Sequence, residues 1–114
     1  MKYALTLHLD PALWETLSDD EKQSIGDGHG EFLERNAAEI LGTHALGEPS
    51  SSKTVRVRDD ETSAEAGLAS RGSTFFCGYY LVDVVNEDRA VELAAEIPDA
   101  KYTAVEVRPV VFEA

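Results

Sequence analysis

The sequence predicts an α+β fold, and three observations carry the prediction. Residues 2–10 alternate apolar and polar side chains, the pattern of a half-buried strand. Two segments, opening at Ser18 and Asn86, repeat apolar residues at helical spacing behind a capping side chain. Further strand-like runs lie at residues 54–58, 78–85 and 102–112. The order is strand, helix, hairpin strands, helix, strand. That is the split βαβ, ferredoxin-like arrangement: an antiparallel sheet with two helices on one face.

In the first strand Tyr3, Leu5, Leu7 and Leu9 point one way, and Ala4, Thr6 and His8 the other; Asp10-Pro11 ends it. Ser18-Asp19-Asp20-Glu21 is a capping box: the serine oxygen takes an orphan amide and Glu21 reaches back. Behind it Ile25, His29, Phe32, Leu33, Asn36, Ala37, Ile40 and Leu41 form an inward helical stripe, with Gly42 as the stop. Gly26, Gly28 and Gly30 weaken this helix and invite a kink or break, at about 1 kcal/mol each relative to Ala. Residues 47–53 read as a polar turn region. Residues 54–58 form a short strand, Asp59-Asp60-Glu61 turns the chain, and residues 64–68 pair back as a hairpin. Residues 78–85 are almost continuously apolar, which predicts a central strand buried on both faces. Asn86 caps a second helix with Ala90, Val91, Ala94 and Ile97 as its apolar stripe, ended by Pro98. Pro109 gives the last strand an edge position or a bulge.

The chain has 114 residues, the size of one domain, so residues 1–114 are read as a single unit. Hydrophobic residues make up 43%, too many for compositional disorder. Asp and Glu number 22 against 10 Lys and Arg, a formal net charge of -12. Such a field repels phosphate backbones and anionic membranes, which argues against nucleic-acid and membrane partners; only Lys53, Arg56 and Arg58 point the other way. No run approaches the roughly 18 apolar residues of a membrane span, and nothing resembles a secretion signal. With Cys77 as the single cysteine, no intrachain disulfide can form, and a reducing, cytoplasmic setting is expected.

Gly78-Tyr79-Tyr80-Leu81-Val82-Asp83-Val84, the 86–98 helix with Ala90 and Ala94-Ala95, and Val105-Glu106-Val107-Arg108-Pro109-Val110 together resemble the YCII-related family, and its DGPF-domain branch in particular. The Met1-Lys2-Tyr3 opening and Leu41-Gly42 followed by Ala45-Leu46 add weaker support. The resemblance implies a ferredoxin-like domain that pairs sheet to sheet in a homodimer, as in dimeric α-β barrel proteins. Some members of the family look enzyme-like because a His and an Asp meet in a cleft; others are encoded beside, or fused to, sigma factors. This chain departs from the branch at its Asp-Gly-Pro-Phe-Ala-Glu-Thr-Lys-Glu motif. Ala66-Gly67-Leu68-Ala69-Ser70-Arg71-Gly72-Ser73-Thr74 stands there, so only the glycine survives and no role of that motif carries over.

Strand parity puts Thr6, His8, Tyr79, Leu81, Asp83, Glu106 and Arg108 on the sheet face away from the helices. His8, Asp83 and Arg108 are therefore candidate catalytic residues. A His beside a carboxylate can serve as a general base, and an Arg can hold a carboxylate or enolate. The same set, with Glu106, also reads as a salt-bridged dimer interface or a solvated face. His29 is the fourth candidate: either an acid/base group facing a cleft, as a helix His in this region of the family implies, or a satisfied core residue, with Asn36 on the same stripe to orient it.

His44 reads as a loop residue. The three histidines lack ligand spacing and Cys77 is alone, so neither a metal nor a cofactor is expected. Cys77 reads as a buried small residue rather than a nucleophile, and Phe75, Phe76, Tyr79 and Tyr80 as filling for the core or dimer interface. Gly26-Asp27-Gly28-His29-Gly30 is a very weak phosphate-loop candidate, because no strand precedes it. Two functions follow. One is a small-molecule site, with catalysis left open, in a homodimeric α-β barrel. The other is a non-catalytic regulatory or protein-interaction module, linked to transcription through a sigma factor.

Overall fold

The alternation of residues 2–9 becomes strand β1 (Lys2–Leu9), with Tyr3, Leu5 and Leu7 buried and their neighbours half-exposed. In the computed structural model residues 1–70 and 72–114 are described. Arg71, one position of the degenerate motif segment, lies outside the described residues. Asp10-Pro11 does more than end the strand. The Asp10 carboxylate accepts from the amides of Ala12 and Leu13, and Pro11 supplies the first turn of a short helix α1 (Pro11–Thr16) that the sequence did not announce.

Helix α2 (Asp19–Arg35) starts on the expected capping box. The Glu21 amide donates to Ser18 Oγ at 3.1 Å, and the Ser18 amide donates to Glu21 Oε1 at 3.0 Å. That bonding holds the Glu21 carboxyl below its ordinary pKa. The helix runs unbroken through Gly26, Gly28 and Gly30, so the glycine cluster neither breaks it nor forms a phosphate loop.

The expected helix end is corrected. α2 stops at Arg35, where the buried Asn36 side chain donates to the Phe32 carbonyl, and residues 40–45 turn into strand β2 (Ile40–Ala45). β2, not the hairpin, is the second strand of the main sheet. Strands β3 (Lys53–Arg58) and β4 (Glu61–Ala66) form a separate two-stranded sheet instead. Their connection is a two-residue turn, with Asp59 and Asp60 both at positive φ (50° and 65°), the geometry that suits the right-handed twist of a hairpin.

Strand β5 (Phe75–Asp83) is central, as expected, but only one of its faces is fully buried. Gly78, Tyr80 and Val82 are buried, while Tyr79 and Leu81 are half-exposed. Helix α3 (Glu87–Glu96) is capped by Asn86, whose side chain accepts from the Arg89 amide at 2.9 Å. Its buried stripe is Ala90, Leu93 and Ala94, continued by Ile97; Val91, expected inside, is 52% exposed. A further short helix α4 (Asp99–Tyr102) follows Pro98, so the last strand β6 begins later than expected, at Ala104, and ends at Pro109 on the sheet edge.

The main sheet is antiparallel throughout, in the order β2-β5-β1-β6. Leu5, Phe32, Val82, Leu93 and Ile97 are fully buried between the sheet and the helices, each worth roughly 1.5–3 kcal/mol of transfer free energy. Tyr80, Val84, Val105 and Val107 face this core too, in the phase that alternation predicts. Among the described residues no helix packs on the opposite sheet face, and the molecule measures 48 × 40 × 18 Å. Its radius of gyration is 16.1 Å, against about 13 Å for a compact domain of this length, because the hairpin projects as an arm. No helix among the described residues is long and apolar enough to cross a membrane.

Candidate functional site

On the helix side of the sheet, His29 occupies a position nearly three helical turns into α2 and turns its imidazole toward β5. The ring is held at both nitrogens. Nδ1 lies 2.6 Å from the Tyr80 hydroxyl, and Nε2 lies 2.7 Å from Asp99 Oδ1. A carboxylate oxygen accepts, so the Nε2–H of His29 donates to Asp99 Oδ1. Nδ1 is then the lone-pair side and accepts from the Tyr80 O–H. The Tyr80 ring stacks beside the imidazole, with centroids 5.9 Å apart and planes 11° from parallel, and Phe32 meets its edge at 4.9 Å.

Three elements bring this chain together, and each has a local cause. Period-2 alternation in β5 turns Tyr80 inward, where its phenol tip needs a partner. The helical stripe of α2 turns His29 to meet it. Asp99 arrives because Pro98 and α4 approach α2 closely at Gly28. A Cβ on Gly28 would lie 2.6 Å from Pro98 Cγ, well inside van der Waals contact. Glycine at 28 is therefore a packing requirement.

The chain of groups opens into a cleft of about 420 Å³ whose walls include Leu7, Leu9, Trp14, Ile25 and Cys77, with Lys22 and Thr43 among the few polar groups. A mostly apolar cleft of this size with a few convergent polar groups is the usual form of a small-molecule site. Burial first, and the Asp99 charge second, push the Tyr80 hydroxyl up to about 12, so it stays protonated near neutrality. The same two causes, in the same order, push the Cys77 thiol up to about 11. It donates to the Leu7 carbonyl at 3.5 Å and is a neutral wall residue, half-buried rather than buried as the sequence led us to expect.

The structure separates the four residues that the sequence put forward. His8, Asp83 and Arg108 lie on the sheet's helix-free face, while His29 lies beneath the other face. His8 Nε2 is 3.0 Å from Thr6 Oγ1 and 3.6 Å from Glu106 Oε2, at one end of β1. Asp83 pairs with Lys2 in register at the opposite end, and its carboxylate receives the N-terminal ammonium at 2.9 Å. That amine holds the Asp83 carboxyl below its ordinary range. Six residues of strand separate the two, about 20 Å, so they do not form one site. Arg108 sits opposite Ala4, between them.

Other expectations are corrected. Asn36 does not orient His29: its amide nitrogen serves the Phe32 carbonyl, and its oxygen faces Arg89 at 3.4 Å. His44 is no loop residue. It lies on β2, with Nδ1 2.7 Å from the Tyr79 hydroxyl. Asp99 and the pairing of Tyr80 with His29 were missed. The available signal was the parity of β5, which buries a phenol and so demands a partner for it.

No group of three or more His, Cys, Asp or Glu stands ready to hold a metal among the described residues. The molecule is thus an α+β protein with a four-stranded antiparallel sheet, helices on one of its faces and a hairpin arm. No protein-family model matches the chain, and no curated protein matches it either.

Proposed function

We propose that this protein binds a small molecule in the helix-side cleft and that His29, with Asp99 and Tyr80, manages a proton there. One observation carries the proposal: a histidine bonded at both ring nitrogens, to a carboxylate and a phenol, at the wall of a largely apolar cleft. In such a chain the Tyr80 oxygen can take a proton from a ligand as its own proton passes to His29 Nδ1. The imidazolium then rests against Asp99. The ligand loses one proton, the protein gains it on His29, and charge balances. The high pKa of Tyr80 favours concerted transfer over a standing tyrosinate. This site replaces the sheet-face set as the centre of the proposal; His8, Asp83 and Arg108 fit the interface reading better.

The strand order and the one-sided helices support a ferredoxin-like, YCII-related domain that works as a homodimer of the dimeric α-β barrel type. The helix-free sheet face carries half-exposed Ala4, Thr6, Tyr79 and Leu81 and the 43% exposed Phe76, a surface suited to a second copy. A cytoplasmic setting belongs to the same proposal and fits the free thiol of Cys77.

The test is a thermal-shift screen of the purified protein against aromatic and carboxylate metabolites. A ligand that prefers the folded state raises Tm in a dose-dependent way. His29→Gln and Asp99→Asn are expected to abolish that rise, while His8→Ala leaves it intact. If no compound shifts Tm, or if the rise survives both cleft variants, the site proposal fails. Light scattering that shows only monomer at micromolar concentration overturns the homodimer.

A second function, a non-catalytic protein-interaction module, is favoured by the arm. Val55 and Val57 stand 62% and 58% exposed on one face of a hairpin that packs little against the rest of the chain. Replacing both valines with serine would abolish capture of a protein partner on this reading. Unchanged capture would remove it.

A further inference from the structure

We propose that the ligand of this cleft is an aromatic carboxylate, with its ring against Trp14 and Ile25 and its carboxylate at the Lys22 ammonium. The inference rests on the cleft being a small-molecule site and specifies what that site takes. Lys22, Ile25 and His29 are spaced i, i+3 and i+7 on α2, so they share one face of the helix. Lys22 and His29 are thus separated by about 10 Å along the axis, a span that one ring bearing a carboxylate fills.

Two features at the Lys22 end point to a planar anion. The ammonium lies 5.3 Å from the centroid of the Trp14 ring, which fixes a cation beside a flat apolar surface. Lys22 also forms no ion pair among the described residues, although the chain carries 22 acidic side chains. At the other end Asp99 is already engaged by His29. The cleft therefore offers one cation, uncommitted to any protein carboxylate, at the opposite end from the imidazole. Most of the wall between the two ends is apolar, supplied by Leu7, Leu9, Ile25 and Ala45. A neutral apolar ligand would leave Lys22 unused, and a dianion would place its second charge near Asp99.

Trp14 is the single tryptophan of the chain, so its emission reports on this cleft alone. The experiment titrates the intact protein with phenylacetate and with its neutral analogue phenylacetamide. It follows Trp14 emission and the His29 ring resonances by NMR. Phenylacetate is expected to bind about tenfold more tightly, and Lys22→Met to remove that preference while leaving phenylacetamide affinity unchanged. Equal affinities in the unaltered protein, or a preference that survives Lys22→Met, overturn the carboxylate assignment and leave the small-molecule site standing. If neither probe perturbs Trp14 or His29 up to about 10 mM, the cleft is not such a site and both proposals fall.

Discussion

Gly28→Ala should be destabilising, although it puts a better helix former into the middle of a helix. In a helix interior Ala is favoured over Gly by about 1 kcal/mol. Gly30, two residues on, is exposed with nothing near its would-be Cβ, so Gly30→Ala should realise that gain. At Gly28 the new Cβ would sit 2.6 Å from Pro98 Cγ. Ordinary carbon contacts need about 3.5–4.0 Å, so α2 and Pro98 must part by about 1 Å. Pro98 is a ring on a fixed backbone and cannot swing aside, so the movement passes to α4 and to Asp99. The His29 Nε2 to Asp99 distance of 2.7 Å would then open beyond hydrogen-bonding range. Losing a hydrogen bond to a charged group costs about 1.5–3 kcal/mol, which outweighs the propensity gain. Urea denaturation of the two variants side by side, with NMR of the His29 ring nitrogens, measures both effects. Gly30→Ala is expected to raise the midpoint, and Gly28→Ala to lower it and change the His29 spectrum. A Gly28→Ala protein as stable as Gly30→Ala, with an unchanged His29 signal, would refute the close-approach argument.

Two further outcomes follow from the titrating groups. The folded Tyr80 hydroxyl stays protonated up to about 12, whereas an unfolded tyrosine ionises near 10.0. Its stabilising contribution is complete below the unfolded value and is lost as pH rises from there toward the folded one. The loss amounts to about 3 kcal/mol, and Tyr80→Phe should flatten this alkaline limb in denaturation curves taken across that window. On the acid side, Arg89 grips Glu39 through contacts of 2.7, 3.1 and 3.2 Å and holds its carboxyl below the ordinary 4.5. That stabilisation is present above 4.5 and fades as pH falls through the lowered folded value. The stability gap between the unaltered protein and Arg89→Met should therefore narrow on acidification, and a gap constant with pH would refute the pairing's role.

The same Arg89–Glu39 pair explains where the sequence misled. Asn36, Ala37, Ala38 and Glu39 include good helix formers, and Ile40 and Leu41 continue the apolar stripe, so helical spacing alone extends α2 to Gly42. One local and two long-range facts stop it earlier. Asn36 turns its amide onto the last turn of α2, Arg89 of α3 holds Glu39, and Ile40 finds Val82 across the sheet. Tertiary pairing overrode a local propensity worth only tenths of a kcal/mol per residue. What was legible depended on strict periodicity or on caps: β1, the Ser18 box, the Asn86 cap, and the inward phase of Tyr80, Val82, Val105 and Val107.

The candidate site divides along the same line. His29 could be named because it falls on a helical stripe, and Tyr80 could be placed inside because β5 alternates. Their meeting was within reach of the sequence: a phenol buried in a central strand needs a polar partner, and His29 is the only histidine on a helix that faces the sheet. Asp99 was beyond reach. It lies three residues before the apparent start of the last strand, in a segment too short and polar to show a period. It reaches His29 only because Gly28 lets Pro98 come close. Conversely, parity put His8, Asp83 and Arg108 on one face correctly yet could not give their spacing along it. A shared face is a statement about direction, and a site is a statement about distance. For residues at opposite ends of paired strands, the second does not follow from the first.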